Sequence, residues 1–221
     1  MSAVPSSARG AATRQRILDA AAEEFARYGI AGARIDRISL AARANKAQLY
    51  SYFGSKDELF DAVIADRVTS STDAVPFDVD DLPGWTVALY DHNVRQPDLA
   101  RLIAWTRLER RPTGPWFDDT SQYQPKIAAI EQAQAAGRVR AGDPFDLLTL
   151  LIATASAWSP ASSVYTASAD ETSADHDRRR ALLRDYVKHA TAPIALGADD
   201  ERGCSHRTAT PSPAQRSSQA L

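Results

Sequence analysis

The stretch NKAQLYSYFGSKDELF, Asn45 to Phe60, gathers side chains suited to binding. Lys46 and Lys56 flank Gln48, Ser51 and three aromatic rings at Tyr50, Tyr52 and Phe53. Lysine suits the acceptors of guanine, and glutamine suits the paired donor and acceptor of adenine. Phenol hydroxyls can bind phosphate while their rings lie against sugar or a thymine methyl. On a helix, at about 100° per residue, Leu49 and Phe53 form an i, i+4 pair on one face. Lys46, Ala47, Gln48, Tyr50 and Ser51 then point outward or to the sides, with Ala47 small enough to allow close approach to a groove floor. The plain alternative is a surface helix with two half-buried tyrosines.

Several elements must position that face. Asn45 is suited to cap a helix over 46–53, with Gln48 placed to close a capping box, and Gly54 ends it. Ser55-x-x-Glu58 is the capping box of a following helix, whose open amides beside Lys56 make a phosphate seat. Before Asn45, Ile35 to Ala42 reads as a short helix with Ile38 and Ala41 facing inward and with Arg34 and Arg37 at its start, placed for the opposite backbone. A longer helix precedes it from Thr13. Ile17, Leu18, Ala21, Ala22, Phe25 and Ala26 form its apolar stripe, Arg14, Arg16, Glu23, Glu24 and Arg27 take the other face, and Gly29 stops it. Two short helices joined by a tight turn match a helix-turn-helix, whose second helix enters the major groove.

Charge agrees with that placement. Residues 1–56 hold nine Lys/Arg against four Asp/Glu, a net of +5, whereas the remainder carries −7, so a total of −2 conceals a basic front end on an acidic body. The 221 residues are 44% hydrophobic and 24% charged, enough for a substantial core. No run approaches the roughly 18 apolar residues of a membrane span, and the first residues lack the apolar segment of a secretory signal. A cytoplasmic protein is therefore expected. The single cysteine, Cys204, excludes an internal disulfide, and neither a metal nor a cofactor is expected. No G-x-S-x-G, H-E-x-x-H or phosphate-cradling glycine loop occurs, so catalysis is a poor reading. Asp175-His176-Asp177 reads as a solvated helix start, because adjacent helical residues point in different directions.

The rest of the chain reads as helices near 84–95, 97–110, 121–137, 143–158 and 175–191, with no convincing strands. The fold class expected is all-α: a flexible arm over 1–12, a basic helix-turn-helix head over 13–55, a helical body over 56–195, and a disordered Pro/Ser-rich tail over 196–221. Trp85, His92, Trp105, Trp116 and Tyr123 are candidates to line an apolar ligand cavity, with Tyr90 and Trp158 beside them. The segment RLERRPTGPWFDD could gate it. Asp143–Ser159 is apolar nearly all round, too much so for a helix with one wet face.

TRQRILDAAAEEFARYGIAG followed by IDRISLAARANKAQLYSYFGSKDELFDAV resembles the N-terminal domain of the TetR family of transcriptional regulators. The matching features are the first helix ending in Phe25 and Gly29, Ile38-x-x-Ala41, Leu49-Tyr50-x-Tyr52-Phe53, and Gly54-Ser55-Lys56 before Leu59-Phe60. Two positions depart from the family pattern. Ala33-Arg34 stands where a Thr or Ser cap is usual, weakening it by about 1 kcal/mol. Arg43 stands where the turn usually has glycine, costing on the order of 1 kcal/mol if the left-handed conformation is kept. The resemblance implies DNA-binding positions Arg34, Arg37, Asn45, Lys46, Ala47, Gln48, Tyr50, Ser51, Tyr52 and Lys56. It also implies a body that binds a small-molecule effector and dimerises through its last two long helices, with Leu148, Ile152, Ala155, Leu183, Tyr186 and Val187 as interface candidates. The expectation is a homodimeric repressor on a palindromic double-stranded DNA operator, released by its effector. The alternatives weighed are a sequence-nonspecific architectural DNA binder and a helical enzyme.

Overall fold

The computed structural model describes residues 8–110 and 123–193, and these form helices α1 (Ala8–Gly32), α2 (Ile35–Ala41), α3 (Lys46–Phe53), α4 (Lys56–Ala74), α5 (Leu82–Arg95), α6 (Asp98–Glu109), α7 (Gln124–Ala135), α8 (Pro144–Ala155) and α9 (Ser173–Thr191). Among the described residues there is no strand, so the all-α expectation stands. No helix is long and apolar enough to cross a membrane.

The stripe on α1 is the spine of the head. Ile17, Leu18, Ala21, Ala22 and Phe25 are fully buried against Ile38 of α2, Leu49 and Phe53 of α3, and Leu59, Phe60 and Val63 of α4. Phe25 and Phe60 meet edge to face, 5.1 Å between centroids. Leu102 of α6 joins the same core. The boundary anticipated at residue 55 therefore cuts through the head's packing, because the first half of α4 supplies core that three short helices lack.

Four local expectations change. α1 starts at Ala8, so residues 8–12 are helix rather than arm. Gly29 does not end it; φ 71° and ψ −178° make a kink, after which the helix continues to Gly32. Glu24, assigned to the wet face, is buried, and its Oε1 accepts from the Arg34 backbone amide at 2.9 Å and from Arg37 Nε at 2.7 Å. In α2 the inward positions are Ile38, Ser39 and the following Ala42, while Ala41 is exposed, since the residue one turn beyond Ile38 is 42.

α5 runs through the middle of the body. Trp85, Val87 and Tyr90 pack with Ile130 and Ala133 of α7, Leu148 and Leu151 of α8, and Leu183 and Val187 of α9. A buried polar knot ties α5 to α9. Tyr90 Oη donates to His176 Nδ1 at 2.7 Å, and His176 Nε2 donates to the Ser168 carbonyl at 3.2 Å. Arg179, also buried, pairs with Glu171 at 2.6 Å. Because the Ser168 carbonyl can only accept, the neutral ring carries its hydrogen on Nε2. His176 is thus not part of a solvated helix start: it anchors the 156–172 connection, with Trp158 edge-on to Tyr90 at 5.7 Å. No cluster able to hold a metal occurs among the described residues.

Candidate nucleic-acid interface

α3 is set at both ends by its own sequence. Asn45 Oδ1 accepts from the Gln48 amide at 2.7 Å, and Gln48 Oε1 accepts from the Asn45 amide at 3.1 Å, the full capping box. Gly54 closes the helix at φ 74°, and its amide donates to the Tyr50 carbonyl at 2.8 Å. Ahead of the cap, Arg43 holds φ 51°, the strained alternative to glycine. Leu49 and Phe53 are buried, which turns Lys46, Ala47, Gln48, Tyr50 and Ser51 outward, all exposed. Tyr52 is only half exposed, packed on the head core with its ring 6.2 Å from Phe53. Of the two tyrosines, Tyr50 presents the larger free surface.

Three of the cations expected to serve DNA, Lys46, Arg37 and Lys56, have internal partners. Lys46 Nζ lies 2.6 Å from Asp36 Oδ1, with both side chains more than half exposed. That hydrogen bond lowers the Asp36 carboxyl below its usual range and raises the Lys46 ammonium. Arg37 pairs with Glu24, which raises its guanidinium further, and it lies over the Tyr28 ring at 4.3 Å. Lys56 Nζ turns back to the carbonyls of Ala31 and Ala33, each at 3.4 Å. In the predicted box of α4 only one half forms, the Glu58 amide donating to Ser55 Oγ at 3.1 Å. Arg34 is exposed at the start of α2, without a side-chain cap.

The end of α6 is fastened to this head, a connection that no spacing pattern revealed. The Glu109 carboxylate accepts from the Ile30 amide at 3.0 Å and the Ala31 amide at 2.8 Å, capping the piece of α1 beyond the Gly29 kink. Trp105 Nε1 donates to the Ala26 carbonyl at 3.2 Å. Arg110 pairs with Asp57 and Asp61 of α4 and lies over Phe60 at 4.9 Å.

Among the described residues, the aromatic pocket expected from sequence is not assembled. Trp85 is core, edge-on to Phe77 at 4.8 Å; Trp105 packs against the head; Tyr123 rests on the body core, where burial raises its phenol pKa. Each ring is consumed by packing, the ordinary use of a large apolar surface. Trp116 and most of the proposed gating segment fall outside the described residues. His92 of that set lines a cavity of about 440 Å³ between the end of α4, the end of α5 and the start of α6. Its walls include Arg67, Val75, Arg95, Asp98 and Leu99, a more polar lining than anticipated. Burial, then the charge of Arg95, lowers the His92 pKa.

The dimer candidates divide. Leu148, Ala155, Leu183 and Val187 are buried inside their own subunit and face the body core, so they cannot form an interface. Ile152 and Tyr186 are exposed, and Phe145, Leu150 and Leu182 are exposed large apolar neighbours on the same two helices.

A capped, outward-facing helix behind a tight turn, carried on a helical body, is the architecture of one class: helix-turn-helix DNA-binding regulators. The family model for bacterial regulatory proteins of the tetR family matches residues 17–63, and that for the tetracyclin repressor-like C-terminal domain matches 81–189. The HTH-type transcriptional repressor SCO4008 of Streptomyces coelicolor is 43% identical over 147 residues, 65% of this chain and 77% of that one. The HTH-type transcriptional repressor NicS of Pseudomonas putida is 33% identical over 105 residues, 44% of this chain and 50% of that one. A crystal structure described as a transcriptional regulator, SCO4942 of Streptomyces coelicolor, superposes with TM-score 0.66 at 38% identity, covering 81% of this chain and 98% of that one. The chain belongs to the TetR family of transcriptional regulators.

Proposed function

We propose that the protein is a repressor that binds a palindromic operator as a homodimer and is released by a small-molecule effector. The observation that carries this reading is the face of α3, where Lys46, Ala47, Gln48, Tyr50 and Ser51 stand exposed on a helix locked by Leu49 and Phe53 beneath it. One such face contacts few base pairs, whereas two related by a dyad read half-sites one helical turn, about 34–36 Å, apart. The apolar side chains left exposed on α8 and α9, Phe145, Leu150, Ile152, Leu182 and Tyr186, suit the dyad contact. Relatives that are repressors favour repression over activation.

The cavity supports effector control. Its walls come from α4 and α6, and both helices are anchored to the head, α4 through Phe60 and Val63 and α6 through Trp105 and Glu109. An effector that binds more tightly when these helices spread would lower DNA affinity by the same coupling free energy. Selection of bound DNA from a random pool, repeated with candidate ligands, is the test. The expected product is a palindrome bound at least ~10³-fold more tightly than random duplex. Equal binding to all sequences at equal salt would overturn the reading.

A further inference from the structure

Arg37 and Lys46 are each paired with an internal carboxylate, and Lys56 turns back onto the carbonyls of Ala31 and Ala33 on the α3–α4 side of the head. Four cations without a carboxylate partner among the described residues gather along another edge of the head: Arg9, Arg14 and Arg16 on α1, and Arg43 in the α2–α3 turn. Arg9, Thr13 and Arg16 fall at i, i+4 and i+7 on one stripe of α1. The Thr13 hydroxyl donates to the Arg9 carbonyl at 3.0 Å and accepts from Arg16 Nη2 at 3.1 Å. Arg16 Nε donates to the Ala42 carbonyl at 3.2 Å, which places it beside Arg43. The stripe thus starts at the turn that leads into α3 and extends about 10 Å along α1, at 1.5 Å per residue. Acidic neighbours do not neutralise it: Asp19 is held by Arg67 at 2.8 Å, and Asp66 lies with the same guanidinium at 3.8 Å. Arg14 is set aside, lying over the Phe53 ring at 5.2 Å.

We propose that Arg9, Arg16 and Arg43 form a second, sequence-independent contact row that grips the DNA backbone flanking each half-site. The inference rests on the operator-binding reading and adds residues to its surface. DNA is the occupant because the row is continuous with the α3 face, Arg43 lying two residues before the Asn45 cap. A duplex carries one charge per about 1.7 Å of axis, so a cation row of this length meets several phosphates. Arginine forks hydrogen-bond phosphate oxygens without reading sequence.

The test uses the full chain and the operator obtained by selection, both in a long duplex and in one trimmed to its two half-sites. Arg9→Ala and Arg43→Gly are measured singly and together. Arg43→Gly suits the left-handed turn better than the native residue, so cooperative melting at or above the wild-type temperature separates lost charge from lost fold. Each substitution removes two contacts from the dimer, one at each half-site, and is expected to lower the slope of log K against log salt by about 1.8, a change of about twelvefold in salt response between 50 and 200 mM. Base preference should stay unchanged, and the double variant should lose the advantage of the long duplex over the trimmed one. Wild-type operator binding with unaltered slopes in the folded variants overturns the arginine row alone. Failure of the wild type to prefer any sequence overturns the regulator reading beneath it and this inference with it.

Discussion

Asn45 and Gln48 hold each other in a closed pair, Asn45 Oδ1 accepting at 2.7 Å and Gln48 Oε1 accepting at 3.1 Å. Adenine recognition by glutamine uses its carbonyl and its amide together. In Gln48 the carbonyl is already engaged by the helix start, leaving its amide nitrogen as the group offered outward. Asn45→Ala removes the cap and should cost about 1 kcal/mol, seen as a lower thermal midpoint, whereas Asn45→Ser should retain most of it. Operator affinity should fall with the cap, because α3 frays at the end nearest the bases. An unchanged midpoint in Asn45→Ala would remove the cap from the account.

Asp36 competes with phosphate for Lys46. Asp36→Asn should free the ammonium in both subunits and strengthen DNA binding on the order of tenfold at low salt, the scale of two added phosphate contacts. The pH dependence has two limbs. The Asp36 carboxyl is lowered, so its contribution is present above the ordinary carboxylate value and disappears as pH falls through the folded one. The Lys46 ammonium is raised, so its contribution is present below the ordinary lysine value and disappears as pH rises through the folded one. Thermal midpoints of wild type and Asp36→Asn, compared across pH, should converge at both extremes. A constant gap at all pH would mean that the pair contributes nothing.

Gly29 couples the head to α6. Its φ of 71° is costly for any side chain, and an added Cβ would stand 2.9 Å from Trp105 Cε3. Because φ 71° with ψ −178° is a region essentially reserved for glycine, Gly29→Ala should destabilise by about 1–3 kcal/mol from the backbone alone, with the Trp105 contact adding to it. An equal loss in chemical denaturation from Gly29→Ala in the wild type and in a Trp105→Ala background would show that the Trp105 contact is immaterial.

Adjacent residues on α9 should separate assembly from folding. Leu182 is 59% exposed and Leu183 is 1% exposed. Leu182→Glu, alone or with Tyr186→Asp, is expected to give a folded monomer by sedimentation velocity. Leu183→Ala should cost about 2–5 kcal/mol, as large-to-small core changes do, with no new monomer population while folded. A dimer that survives Leu182→Glu with Tyr186→Asp would move the interface elsewhere.

The sequence by itself determined the family and the local structure of α3. Leu49 and Phe53 four apart, Asn45 and Gln48 three apart, and Gly54 after them are short-range constraints, and each acts within one turn of helix. The same is true of the apolar stripe on α1, and together these made the all-α head and its outward face legible. The tertiary structure alone decided which groups are free. Glu24 is buried because Arg37 and an open amide from another helix compensate it, and His176 is buried because Tyr90, 86 residues away, supplies a donor. Trp85 and Trp105 are core rather than cavity wall, and Leu148, Ala155, Leu183 and Val187 face inward rather than toward a twin. An apolar or charged residue carries the same signature in a core, a pocket or an interface, because all three remove it from water. Only the positions of distant helices say which.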